Sequence, residues 1–121
     1  MTPFDWRDYI RVARSLASGK ADEASLRAAV SRAYYAAYHV ARERAPAKGV
    51  SFGPIASLTS HEDCWTAYKT VPALLKIGVT GDRLKKSRHT ADYRTDRLLN
   101  WRSEADSVVQ LASDLIAELD R

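Results

Sequence analysis

The feature that most restricts this chain is a run in which Leu26, Ala29, Val30, Ala33, Ala37, Val40 and Ala41 recur three and four residues apart, with no glycine or proline between them. That is the period of an α-helix; on a strand the same residues would scatter over both faces. The alanines leave room for a neighbouring helix to come close, while Arg32, Tyr35, His39 and Arg42 fall on the other side. One face packs and the other is available for chemistry. A second stripe, Trp101, Ala105, Val108, Val109, Ala112, Leu115, Ile116 and Leu119, keeps the same period almost unbroken. With no strand pattern, internal repeat or low-complexity tract, the predicted class is all-α.

Local signals divide the rest. Thr2 can cap a helix whose first position is Pro3, with Trp6, Ile10, Ala13, Leu16 and Ala17 at helical spacing until Ser18 and Gly19 stop it. Asp22 or a neighbour opens the alanine-rich helix, which ends near Pro46. Residues 46–58, PAKGVSFGPIASL, hold two prolines and two glycines, a loop that either serves the site or simply connects. Thr59 and Glu62 make a capping-box pattern for a short third helix through Trp65 and Tyr68, limited by Pro72. A break is expected around Gly78 and Gly81. A fourth helix should then start near Asp82, carry Leu84, Arg88 and Ala91, and end at or near RHTADYR, residues 88–94, where no glycine or proline marks its end. The expectation is one domain over residues 1–121, an up-and-down four-helix bundle with an additional short helix.

The length suits a single core. A net charge of +4 favours polyanionic partners, although acidic residues are spread along the whole chain. Cys64 is alone and no Cys/His cluster has the spacing of a zinc site, so neither disulfide, metal nor cofactor is expected, and a reducing cytoplasm is the simplest location. The start, MTPFDWRDYIRVAR, lacks the apolar core of a secretory signal, and no window reaches membrane-spanning length. A soluble protein without a membrane partner is expected.

Two segments, SLRAAVSRAYYAAYH (Ser25 to His39) and LKKSRHTADY (Leu84 to Tyr93), resemble in order, spacing and flanking helices the small stand-alone proteins of the HEPN family. The likeness covers most of the chain, more loosely at its ends and in the middle loop. It implies a HEPN-like helical bundle. Members of that family include metal-independent ribonucleases, toxin partners of minimal nucleotidyltransferases, and catalytically silent binding modules. The resemblance therefore implies an RNA-directed protein of toxin–antitoxin or defence type, acting as a homodimer whose site is composite. The alternative is a non-catalytic nucleotide- or RNA-binding or regulatory subunit that partners a minimal nucleotidyltransferase.

HEPN ribonucleases carry an arginine followed at short spacing by a histidine. Arg32 with His39 and Arg83 with His89 match that spacing, a pattern frequent enough by chance to decide nothing. By position the family's catalytic arginine falls on Arg88, and five residues on, where a ribonuclease would place histidine, stands Tyr93. Either His89, Asp92 and Tyr93 form a variant proton-transfer set, or the site binds without cutting.

Metal-free RNA cleavage needs a general base, a general acid and a cation on the phosphate. His39 or His89 could exchange protons near neutrality, and Arg32 or Arg88 could clamp the phosphate through a planar fork. Arg32, Tyr35 and His39 are placed facing that site, unless they form only a solvated helix face. Arg88 and Asp92 have the spacing of an ordinary intrahelical ion pair. Arg83, Lys85, Lys86 and Arg88 make the best phosphate-tracking run, with a solvated surface as the alternative. Tyr34 and Tyr93 can serve as packing residues, His61 as a helix-terminus residue, and Trp65 and Tyr68 as core rather than base-stacking rings.

Overall fold

The computed structural model describes residues 3–52, 61–97 and 99–121, with the backbone alone for Glu62 and Asp63. Among the described residues five helices form an all-helical bundle: α1 (Asp8–Leu16), α2 (Glu23–Arg44), α3 (His61–Lys69), α4 (Leu75–Tyr93) and α5 (Trp101–Leu119), with 3-10 turns at Pro46–Lys48 and Pro72–Leu74. Among the described residues there is no strand. No described helix is long and apolar enough to cross a membrane.

The alanine stripe makes α2 the central helix, packed against all four others. Asp22 caps it, its carboxylate accepting from the Ser25 N–H at 2.8 Å. Ala29, Ala33, Ala36, Ala37 and Ala41 are completely buried, so neighbouring backbones approach α2 without large side chains between them. Asn100 caps α5 in the same way, accepting from Ser103 N–H at 3.0 Å, and the expected stripe from Trp101 to Leu119 faces the core.

Two local expectations fail, at the start of α1 and along α4. The first helix begins at Asp8, not Pro3; Thr2 lies outside the described residues. The Asp5 carboxylate takes the Arg7 N–H at 3.0 Å, and Phe4, Trp6 and Tyr9 pack edge to face, holding the segment before α1 in a turn. The Thr59–Glu62 cap likewise lies outside the described residues, as does much of the 46–58 loop.

The break expected at Gly78 and Gly81 does not occur. Helix α4 runs through both, starting at Leu75 rather than Asp82. Here the glycines are contact notches: a Cβ on Gly81 would meet the Trp65 indole, and one on Gly78 would lie 2.7 Å from the Trp65 carbonyl oxygen. Each interior glycine costs about 0.5–1 kcal/mol of helix stability. Fully burying Trp65 returns more, about 4–6 kcal/mol gross for 150–250 Å² of ring surface.

The end of α4, unmarked in sequence, is set from α2. Arg27 Nη1 donates to the carbonyls of Ala91 at 3.1 Å and Arg94 at 2.8 Å, while its guanidinium lies 4.3 Å from the Trp101 ring centroid. A cation thus sits on the negative end of the helix dipole and ties α2, α4 and α5 together.

Candidate nucleic-acid interface

On α2 the residues Ser31, Tyr34, Tyr35, Tyr38, His39 and Arg42 are spaced three and four apart, so they share one face. That face meets Arg88 and Asp92 from α4 and His61 and Trp65 from α3. Arg88 is the hub: its side chain is only 12% exposed, and its Cζ lies 5.5 Å from the Tyr34 centroid, 5.6 Å from Tyr35 and 5.8 Å from Tyr93. Its Nη1 is 3.6 Å from Asp92 Oδ2, which also accepts from Ser31 Oγ at 3.1 Å. Its Nε is buried with no acceptor among the described residues. The intrahelical ion pair whose spacing Arg88 and Asp92 have is therefore formed.

A three-residue hydrogen-bond chain lies beside it. Trp65 Nε1 can only donate, and does so to Tyr34 Oη at 3.0 Å. Tyr34 Oη is 2.8 Å from His61 Nδ1. Tyr34 keeps its proton, since burial pushes its pKa far above the ordinary phenol value. That proton finds its acceptor in His61 Nδ1, which leaves His61 neutral and protonated on Nε2.

His61 is pulled down to about 4, first by burial and then by Arg88, His39, Lys85 and Arg42. His39 is lowered too, by burial and then by Arg42. Both imidazoles are therefore uncharged at neutral pH. The electrostatic cause is informative in itself: three permanent cations sit close enough to His61 to oppose a fourth.

Rings pack into the same cluster. His61 stacks on Tyr38 with centroids 3.9 Å apart, Tyr35 meets His61 edge to face at 5.7 Å, and His39 stacks on Trp6 at 3.6 Å. Arg42 donates to Tyr38 Oη at 3.1 Å and lies 5.7 Å from the Phe52 centroid. Cations and ring faces alternating in this way suit a polyanion bearing flat bases.

Of the residues expected at a site, the fold gathers Arg88, Asp92, Tyr93, Tyr35 and His39, with Lys85 near His61. His89 stands apart at the edge, exposed, its ring 5.0 Å from that of Tyr93. Arg32 turns to another neighbour: it lies over Tyr9 of α1, 5.4 Å from the centroid. Arg83 and Lys86 are exposed on other faces of α4. Ser31, Tyr38 and Trp6 were not expected at a site, and His61, expected as a helix-terminus residue, joins the cluster from α3. The repeat Ser31, Tyr34/Tyr35, Tyr38/His39, Arg42 was the available signal.

Among the described residues no group of three or more His, Cys, Asp or Glu side chains is arranged to hold a metal. Cys64 is buried, its thiol pushed up to about 12 by burial, which removes it as a nucleophile. No protein-family model, no curated protein and no solved structure matches the chain.

Proposed function

We propose that this chain is an RNA-directed protein with a HEPN-like, up-and-down bundle, of the toxin–antitoxin or defence type. In this reading the Arg88 cluster between α2 and α4 binds a phosphate of single-stranded RNA or of a nucleotide. The observation that carries it is the Arg88 guanidinium held between the Tyr34 and Tyr35 rings, with Lys85, Arg42 and two neutral histidines around it. Arg88 and Lys85 supply charge for the phosphate, and Tyr35 and Tyr93 supply ring faces for bases.

Binding without cleavage is the chemistry best supported. A cleaving site needs one group to take a proton and another to give one. His61 with a value of about 4 is a feeble base and, being neutral, no acid, while Tyr93 occupies the place where a HEPN ribonuclease has histidine. A non-catalytic subunit partnering a minimal nucleotidyltransferase fits this chemistry. Metal-independent cleavage is the second reading, favoured by the Tyr34–His61 pair beside Arg88.

The test is fluorescence anisotropy of labelled single-stranded RNA against a salt series. Wild type should bind, and Arg88→Ala should weaken binding and flatten the slope of log K against log salt by roughly 0.7, the share of one phosphate contact on a single strand. Equal affinity and slope for the two proteins would refute the reading. Incubation with RNA in EDTA decides between the chemistries: cleavage by wild type that Arg88→Ala abolishes would establish the ribonuclease.

A further inference from the structure

The ion pair between Arg88 and Asp92 is a loose one: Nη1 stops 3.6 Å from Oδ2, beyond hydrogen-bond reach, although a turn of helix would let the two close. Each partner is held by something else. The guanidinium is wedged among the rings of Tyr34, Tyr35 and Tyr93. The carboxylate is drawn to α2, where the buried Ser31 donates its hydroxyl to Oδ2 at 3.1 Å. Two unsaturated groups are left side by side: the Arg88 guanidinium makes no hydrogen bond among the described residues, and Asp92 Oδ1 accepts none there. Both side chains still reach solvent, Asp92 more than Arg88.

A phosphate alone suits this pair badly. It would satisfy the guanidinium, but it would also set one anion against another, with no hydrogen between it and the carboxylate. The pair is completed by a ligand that brings an anion to Arg88 and, next to it, a donor to Asp92. On a ribose of RNA the 3′-phosphate and the 2′-hydroxyl sit on adjacent carbons and supply those two groups together. We propose that Asp92 accepts a hydrogen bond from the 2′-hydroxyl beside the phosphate held by Arg88, and that Ser31 is the positioning residue that keeps the carboxylate open for it.

Asp92 is then the residue by which the site tells RNA from DNA, since deoxyribose brings the phosphate without the donor. It also separates nucleotides from one another: a phosphate on C5′ has no hydroxyl on the adjacent carbon, so the 3′-phosphorylated ribose is the form that fits. Ser31 sets the number of donors the carboxylate takes. With Oδ2 engaged, a single hydroxyl fits Oδ1, whereas the paired N–H groups of a guanine edge would have to share the oxygen that Ser31 already holds. The inference rests on the reading of Arg88 as a phosphate site and adds the neighbouring hydroxyl to it.

Anisotropy titrations of the full chain with short labelled strands of adenine and cytosine, made as RNA, as DNA and as 2′-fluoro RNA, test this. The fluoro strand keeps the sugar shape of RNA without the donor. Wild type should bind RNA roughly tenfold more tightly than either analogue, the worth of one hydrogen bond to a charged acceptor. Asp92→Ala should erase that preference. Ser31→Ala, which keeps the carboxylate but lets it close on Arg88, should shrink it, and circular dichroism should show both variants folded. Adenosine 3′-monophosphate should displace the RNA at a lower concentration than adenosine 5′-monophosphate. Equal binding of RNA and DNA by wild type would overturn the inference, as would a preference that survives Asp92→Ala or that the fluoro strand shares, or equal competition by the two monophosphates. An undiminished preference in Ser31→Ala would remove its positioning role. These outcomes leave the phosphate site standing if Arg88→Ala weakens binding of every strand; if Arg88→Ala changes nothing, the site and the inference fall together.

Discussion

Gly81→Ala separates two expectations of opposite sign. By helix propensity alone, an interior glycine replaced by alanine stabilises a helix by about 0.5–1 kcal/mol. In the folded chain the new methyl would collide with the six-membered ring of Trp65. That ring is fully buried, and its Nε1 is tied to Tyr34 Oη at 3.0 Å, so it cannot move aside without loosening the Trp65–Tyr34–His61 chain. Overpacking of this kind costs about 1–3 kcal/mol, and a weakened buried hydrogen bond adds about 1. After subtracting the propensity gain, a net loss of about 2 kcal/mol remains. For 121 residues, at about 2.1 cal/mol/K of unfolding entropy per residue, that lowers Tm by roughly 8 °C. Thermal and urea unfolding followed by circular dichroism measures it, with a shift in the urea midpoint at unchanged slope. In a Trp65→Phe background the same substitution should cost less, because the smaller ring withdraws the clashing atoms. A Gly81→Ala protein as stable as wild type or more so would refute the contact-notch account of α4.

Acid should weaken the fold through His61. Its folded value, about 4, lies below the ordinary 6.5, so the unfolded chain binds more protons between those values and stability falls as pH drops through that window. His61→Gln should flatten that slope in urea unfolding measured at several pH values, though not abolish it, because His39 is shifted in the same direction. Arg27→Ala should cost about 2 kcal/mol by orphaning the carbonyls at the end of α4, and should speed amide exchange in the last turn of that helix more than in α2.

The helices α2 and α5 were legible because their stripes run long without a breaker and their caps, Asp22 and Asn100, act within the segment. The course of α4 was not, because Gly78 and Gly81 answer to Trp65 on another helix, and local propensity cannot register a partner that arrives through the fold. The same holds for the end of α4, fixed by Arg27 more than sixty residues earlier, and for the start of α1, where Trp6 stacks on His39. Around Arg88, the residues legible in sequence are those that pair within one helix, Arg88 with Asp92 and Tyr35 with His39. Tyr34 shows why a packing assignment can be correct and incomplete: its ring is buried, yet its hydroxyl is the middle of the chain from Trp65 to His61. Arg32 shows the reverse, since its position relative to His39 placed it near a site and the fold turned it to Tyr9.

The electrostatics around Arg88 would tie the proposed binding to protons. Arg88, Lys85 and Arg42 all oppose a charge on His61, and that is part of why it is neutral at pH 7. A phosphate seated among those cations would cancel part of their field, and His61 would then hold a proton more readily. Binding should therefore take up protons at pH values between about 4 and 6.5, and affinity should rise as pH falls toward that range. Calorimetric titration with single-stranded RNA near pH 5, in two buffers of different ionisation enthalpy, reads the uptake as the difference between the two heats. His61→Gln should reduce that difference and leave smaller uptake at His39. Equal heats in both buffers, with binding present, would place the phosphate beyond the reach of His61 and away from Arg88. That outcome would separate a chain that binds RNA elsewhere from one that binds it where the guanidinium and the rings converge.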